Sequence, residues 1–391
     1  MKKNRSVLMV APVPFFVDRG TPMRILEEAL ALEKKGIKVS IVTYHLGRDI
    51  ENIAPKSKIK IYRIVRFLFW YKKEEAGANW QKIILDILLT IKVLRVYFRV
   101  KPDIIHAHLH EGVLIGWIVK KVIFWKKIRL VADFHGELVN EMTSHGYLNG
   151  GWLKKIFYLI EKFIISLADW TIVSSEELKN TISKTRKDDK VSIVLDGVNL
   201  KKYNLNKKSE TNSNDLKIIY SGAFVQNKGI DFLLEAILKI SQKNIEGISF
   251  ILAGGPIENI LTFIKDNNLE KIVKIISPLD YKELPVINMM GDVAIDPKTS
   301  QVGQASGKIL QYMAAGLPVI CFDRKNNRKY LKEAGYYVTD FSSDGLFKAI
   351  IYFKNNPDEI RVKSTFSRQR ITAFSWKKSA KKIIKIYNKI S

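Results

Sequence analysis

The sequence predicts an α/β fold of two Rossmann-like domains, each a doubly wound parallel sheet, facing a central cleft. Three observations carry that expectation. Short apolar runs alternate with amphipathic helical stretches along the whole chain, as repeated βα units require. The alternation breaks once, at the polar stretch KKYNLNKKSETNSNDLK, which reads as a linker between two series. The 391 residues, 47% of them hydrophobic, are enough for two cores of ordinary size.

SVLMVA opens the first series. The surrounding MKKNRSVLMVAPVP looks superficially like a signal peptide, but its apolar stretch is short and runs straight into a turn, so it reads as strand one. PMRILEEALALEKKG follows as a helix, with Thr21 as its N-cap and Pro22 at its first position. KVSIVTY, IKIYRIVRF, PDIIHAH, IRLVADFH, WTIVSS and VSIVLD continue as strands. After the linker come KIIYSGAF, SFILAGG, KIVKIIS, DVAIDP, PVICFD and YYVTD. The last helix runs from Trp376 to Ile390, with apolar positions 376, 380, 383, 384, 387 and 390 on one face. The domains are expected at 1–199 and 200–375. Ligands of such sheets bind beyond the carboxyl ends of the strands, which directs attention to the interdomain cleft.

No charge-free apolar run approaches the roughly 20 residues of a spanning helix. The single Cys321 excludes internal disulfides and points to a reducing, cytoplasmic compartment. The net charge of +26 is patterned: residues 51–130 hold 17 Lys and Arg against 6 Asp and Glu, and residues 351–391 hold 11 against 2. No nucleic-acid module is legible, so no nucleic-acid partner is expected. Interleaved aromatics suit an anionic membrane surface better. WQKIILDILLTIKVLRVYFRV reads as a helix with Lys92, Arg95 and Arg99 on one side. It follows FLFWYKK, with Trp70, Lys72 and Lys73, and precedes VKKVIFWKKIR, with Lys120, Lys121, Lys126 and Lys127. These residues form the expected membrane surface, on the inner face of the cell membrane.

Two places are prepared for phosphate. Gly222 and Ala223 end a strand before Lys228-Gly229 opens IDFLLEAILKI, and Ser306-Gly307-Lys308 opens ILQYMAAG. Two helix N-termini, each with free N–H groups and a lysine, can hold a diphosphate without metal. In PDIIHAHLHE, His106, His108 and His110 alternate beside Glu111. A zinc site would need a fourth ligand, which the spacing does not supply, so no metal is expected.

YSGAFVQNKGIDFLLEA, FILAGGP, SGKILQYMAAGLPVI and the terminal FSWKKSAKKIIKIY resemble the donor-binding domain of retaining family 4 glycosyltransferases of the GT-B fold. DRGTPMR, PDIIHAH, DFHGE, ADWTIVSSEELK and DGVN agree for the first domain, so the resemblance covers essentially the whole chain. It implies a nucleotide-diphosphate sugar as donor substrate in the second domain, an acceptor in the first, and no separate cofactor. The acceptor would be lipid-linked or a saccharide, in surface-glycan assembly. It also implies that helix 376–391 packs back on the first domain. Lys228, Lys308, Ser306 and Gly307 would hold the diphosphate, with Gly20, Thr21 and Gly222 lining the approach. His135 would stand beside the transferred sugar, and His108, His110 and Glu111 on the acceptor side. The departing phosphate would itself accept the acceptor's proton.

The chain also departs from the family pattern. Ala223 stands where an arginine is common, and Gly303 and Gln311 where two glutamates are common. Gln311 can accept from one ribose hydroxyl and donate to the other. Gly303 has no side chain to reach the sugar, so Gln304 or backbone N–H groups would do so instead. A GT-B sugar-nucleotide epimerase and a non-catalytic sugar-nucleotide or membrane-binding module remain as alternatives.

Overall fold

The computed structural model describes residues 5–66, 81–144, 147–148, 150–203, 215–299 and 307–391. Trp70, Lys72, Lys73, Gly303, Gln304 and Ser306, and most of the expected linker, lie outside them. The chain divides into two compact units. Among the described residues, one holds 5–196 with 376–391, and the other 197–299 with 307–375.

The first unit opens with β1 (Ser6–Ala11), α1 (Gly20–Glu33), β2 (Lys38–Thr43), α2 (Ile50–Ile53) and β3 (Lys60–Arg63). It continues with α3 (Gln81–Val100), β4 (Ile104–His108), α4 (Leu109–Val122), β5 (Arg129–Phe134) and α5 (Leu138–Ser144). Then come α6 (Gly151–Ser166), β6 (Trp170–Val173), α7 (Glu176–Thr185) and β7 (Val191–Ile193).

The second unit holds β8 (Leu216–Ala223), α8 (Ile230–Gln242), β9 (Ile248–Gly255), α9 (Glu258–Asp266), β10 (Val273–Ile276) and α10 (Leu284–Met289). It goes on through β11 (Val293–Asp296), α11 (Gly307–Ala314), β12 (Val319–Phe322) and α12 (Lys325–Leu331). It ends with β13 (Gly335–Val338), α13 (Ser343–Asn355) and α14 (Pro357–Ile371). The last helix, α15 (Trp376–Ile390), belongs to the first unit.

Every apolar run named above forms a strand, and both sheets are parallel throughout. The orders are β3-β2-β1-β4-β5-β6-β7 and β10-β9-β8-β11-β12-β13. Strands covered on both faces must be apolar at every position, and Val7 to Ala11 are all fully buried. Each such core side chain contributes roughly 1.5–3 kcal/mol. In both sheets the chain reverses direction beside its first strand, between β1 and β4 and between β8 and β11. That switch point opens a crevice at the strands' carboxyl ends.

Two local expectations are corrected. Thr21 is not a cap: α1 begins at Gly20, and Arg19 takes the cap position without a side-chain hydrogen bond. Pro22 is tolerated there because the N–H groups of a first turn have no helical partner. The buried face of α15 includes Ser379 and Ile386, while Ile384 is only half-buried. Ser379 Oγ donates to the Leu195 carbonyl at 2.7 Å, so α15 follows its packing partners rather than its most apolar line.

Candidate active site

At the carboxyl end of the first sheet, polar side chains meet in a dry environment. Arg24 and Glu28 lie one turn apart on α1, and both are buried because α15 packs against α1. Arg24 Nη2 donates to Asp133 Oδ1 and Oδ2 at 3.1 and 3.2 Å, and Nη1 donates to Asp196. Burial raises the Asp133 carboxyl, but Arg24 and the neighbouring His106, His135 and His108 together outweigh it and hold Asp133 well below its usual range. Burial, and then the Asp133 charge, push Glu28 well above its own. The pair is thus biased toward charge on Asp133 and a proton on Glu28.

The histidines stack on this base. His106 Nδ1 is 2.6 Å from the Tyr387 hydroxyl of α15, and its Nε2 is 3.5 Å from Glu28 Oε1. His108 lies face to face with His106, ring centroids 4.7 Å apart. His108 Nδ1 and His135 Nε2 are 3.3 Å apart, so one ring donates and the other accepts. Burial lowers His108 well below its ordinary value and His135 to about 3, which keeps both neutral at physiological pH. His135 Nδ1 is buried and has no hydrogen-bond partner among the described residues. Two overlapping groups, Glu28–His106–His108 and His108–Asp133–His135, bring three potential metal-ligand atoms within 4.8 Å of one another. The guanidinium already bonded to Asp133 disfavours a second cation there.

The second sheet ends in the opposite chemistry. Gly229 holds a left-handed φ of 75°, and a Cβ there would overlap the Pro297 carbonyl. Only glycine lets the Lys228 turn approach the end of β11 so closely. Lys308 Nζ lies 3.5 Å from Asp296 Oδ1 and 4.1 Å above the Tyr220 ring. A Cβ on Gly222 would lie 3.3 Å from that Nζ. Burial alone would lower Lys308, but Tyr220 and Asp296 raise it above its ordinary value, so it stays charged. Lys298, just past β11, and Arg324, just past β12, are also buried. Burial, reinforced by repulsion from Lys228 and Arg324, pushes Lys298 down to about 7. Several cations thus converge near one buried carboxylate, an arrangement with capacity for a polyanion.

The candidate residues separate. His108 joins His135, and Gly222, Gly307, Lys308 and Lys228 share one strand-end region of the second unit. His110 is directed elsewhere, with Nε2 3.4 Å from Glu161 of α6 and its ring against Phe134. Glu111 pairs with Lys82 of α3 at 3.4 Å. The reason is that the strand ends at His108, so the period of two does not carry on to His110. Nothing within 4 Å would meet a Cβ on Gly20, leaving open space beside the first loop, next to Thr21. Gln311 is buried, and its Oε1 accepts from the Tyr203 hydroxyl. On the basic surface, Lys120 is tied to Asp169 at 2.7 Å and Lys92 is half-buried, whereas Arg95 and Arg99 are exposed.

Sequence reasoning missed Arg24, Glu28, Asp133 and Tyr387 in the first unit, and Asp296, Lys298, Arg324 and Tyr203 in the second. For Asp133, Asp296 and Lys298 a signal existed. Each is a charged residue at or just past the carboxyl end of an apolar strand, where a parallel sheet binds its ligand.

Residues 19–202 match the model of Glycosyltransferase Family 4, and residues 215–356 that of Glycosyl transferases group 1. An uncharacterized 41.2 kDa protein in the cps region of Klebsiella pneumoniae is 26% identical over 341 residues, 82% of this chain and 84% of that protein. Among solved structures, sucrose-phosphate synthase from Thermosynechococcus elongatus superposes with a TM-score of 0.79 at 17% identity, covering 99% of both chains. Anabaena Alr3699/HepE, in complex with UDP and glucose, gives 0.76 at 13% identity, covering 98% of this chain and all of that one. With both halves matched by glycosyltransferase models, this chain belongs to the glycosyltransferases, and its likeness to the solved structures shows the GT-B fold.

Proposed function

We propose that the chain transfers a sugar, with retention and without a metal, from a nucleotide-diphosphate sugar to a lipid-linked or saccharide acceptor at the cytoplasmic membrane face. The observation that carries this reading is the cluster of Lys298, Lys308 and Arg324 around Asp296. A departing diphosphate gains negative charge as its bond to the sugar breaks. Cations fixed in a dry site favour that state over the ground state. The opposite charge balance in the first unit suits a sugar and its acceptor hydroxyl, with His135 kept neutral. Asp133 is held by Arg24, and burial biases Glu28 toward its protonated form, so neither is well placed to act as a general base. That supports a path in which the leaving phosphate takes the acceptor's proton and the sugar passes through an oxocarbenium-like state.

The Anabaena neighbour binds UDP and UDP-glucose, which makes UDP-sugars the first donors to test. Nucleoside diphosphates and their sugar conjugates should raise the unfolding temperature, since ligands that bind only the folded state stabilise it. Sugar transfer to membrane lipid extracts or oligosaccharides should follow, with nucleotide released only when acceptor is present. Release without acceptor, accompanied by an altered sugar nucleotide, would favour an epimerase instead. Absence of any nucleotide-dependent shift would remove the donor site from this unit.

A further inference from the structure

α6 is apolar on its outward side as well as on the side where Ile164 and Ile165 join the core. Its inner face carries Glu161, whose carboxylate accepts from the backbone N–H groups of Leu138 and Val139 at 2.6 and 3.3 Å. Its outer face is apolar. Trp152, Ile156, Leu159 and Phe163 are all exposed, Trp152 to 72% and Leu159 to 64%. Their spacing of four, three and four residues makes one continuous stripe opposite Glu161. A helix apolar on its outward side is normally covered by something.

The stripe continues beyond α6. Phe163 packs edge-on against Trp117 of α4 at 5.8 Å, and Lys121 Nζ lies 5.8 Å above the Trp117 ring. Just past the end of α4, Phe124 is 80% exposed and Trp125 58%. Beside the helix runs an open crevice of about 430 Å³, walled by Val139, Tyr158, Leu159 and the lysines 154 and 155. α3 packs on the same side of the same core and repeats the pattern with exposed Ile83, Ile87 and Ile91.

The charges around the stripe identify the occupant. Lys155 and Lys162 flank it on α6 and Lys126 and Lys127 follow Trp125, while the acidic residue of α6, Glu161, is turned inward. A second copy of this chain, docked face to face by a twofold axis, would bring these lysines against one another. An anionic lipid surface would complement them, while the aromatic rings enter the headgroup boundary and the lysine stems lie along it. We propose that α6, with Phe124 and Trp125, inserts in the plane of an anionic bilayer and holds the first unit on it. This rests on the reading above that the acceptor is presented at a membrane.

Flotation of the full chain with vesicles tests this, using phosphatidylcholine alone or with roughly a third phosphatidylglycerol. Wild-type protein should float with the anionic vesicles. The combined Trp152→Gln, Leu159→Gln and Phe163→Gln variant should bind them about tenfold or more weakly, because it removes apolar burial. Lys155→Gln with Lys162→Gln should weaken only the preference for anionic lipid. Unchanged unfolding and nucleotide-induced shifts in these variants would show that fold and donor site are intact. Binding of the triple variant equal to wild type overturns the proposal. So does a dimer in solution that the same triple variant dissolves, because a second copy would then cover the stripe. Vesicle binding that fails while nucleotide shifts persist sinks only this inference. Vesicle binding that depends on the stripe, without any nucleotide shift, upholds it and sinks the donor reading.

Discussion

The two units share a strand order around their switch points, yet the carboxyl ends of their sheets hold opposite charges. In the first unit one cation, Arg24, lies among Asp133, Asp196 and Glu28, and the nearby imidazoles of His108 and His135 are kept neutral. In the second, one carboxylate, Asp296, lies among Lys298, Lys308 and Arg324. The topology provides the location, and the side chains decide what can bind there. In each unit the minority charge acts as the counterion that makes burial of the others tolerable. The two minority charges should therefore be structural, and the surplus of the second unit functional.

The largest expected effect tests the structural half of this contrast. Arg24→Met strands Asp133 in a dry site, and loss of one partner from a buried pair costs about 3–5 kcal/mol. Denaturant unfolding should show that loss in the first unit. An unchanged midpoint would mean that Arg24 is not the counterion. Next, Lys308→Ala should lower kcat/KM for the true donor roughly tenfold or more, the worth of a charge-assisted phosphate contact. Kinetics equal to wild type would place the diphosphate elsewhere.

Lys298 sharpens the comparison through pH. Its lowered value of about 7 lies below its ordinary 10.5, so between these limits the unfolded chain binds more protons than the folded one. Stability of the free protein should therefore rise as pH climbs through that window. A bound diphosphate favours the charged lysine, so donor binding should take up a proton and weaken as pH rises above about 7. Calorimetry of a nucleotide sugar in buffers of different ionisation enthalpy reads this uptake directly, and Lys298→Met should abolish it. No uptake by the wild type would contradict the cation-cluster assignment.

A smaller change is expected at Gln311. Gln311→Ala removes one or two hydrogen bonds, about 1–3 kcal/mol, and should raise the donor's KM without abolishing turnover. Gln311→Glu preserves an acceptor for the Tyr203 hydroxyl and should change nucleotide affinity several-fold in one direction or the other. If both variants match wild type, residue 311 does not face the nucleotide. Least of all should a chelator matter, since the protein's own cations neutralise the diphosphate. A rate that collapses in chelator and returns with a divalent ion would end the metal-independent reading.

The strands were legible because parallel strands buried on both faces leave an unbroken apolar signature, as in SVLMVA and DVAIDP. Helix starts were less so, since Thr21-Pro22 satisfies the rules for a cap while the chain turns helical at Gly20. The resemblance drew attention to Gln311, but its partner Tyr203 is 108 residues away and nothing near either residue announces the other. Arg24 and Glu28 read as ordinary solvated charges on an amphipathic helix until α15, from the far end of the chain, covers them.

Strand positions, sheet direction, the break between the two series and the lysines at two helix starts were thus determined by the sequence alone. Each depends on side chains within about ten residues, where periodicity and turn chemistry act. Only the tertiary structure decided that Glu28 is pushed toward its protonated form, that Lys298 is lowered to about 7, that His110 parts from His108, and that α6 turns an apolar stripe outward. A protonation state depends on burial and on charges brought in from other elements, and the exposed side of a helix on what packs against it. Neither quantity is defined until the chain has closed on itself.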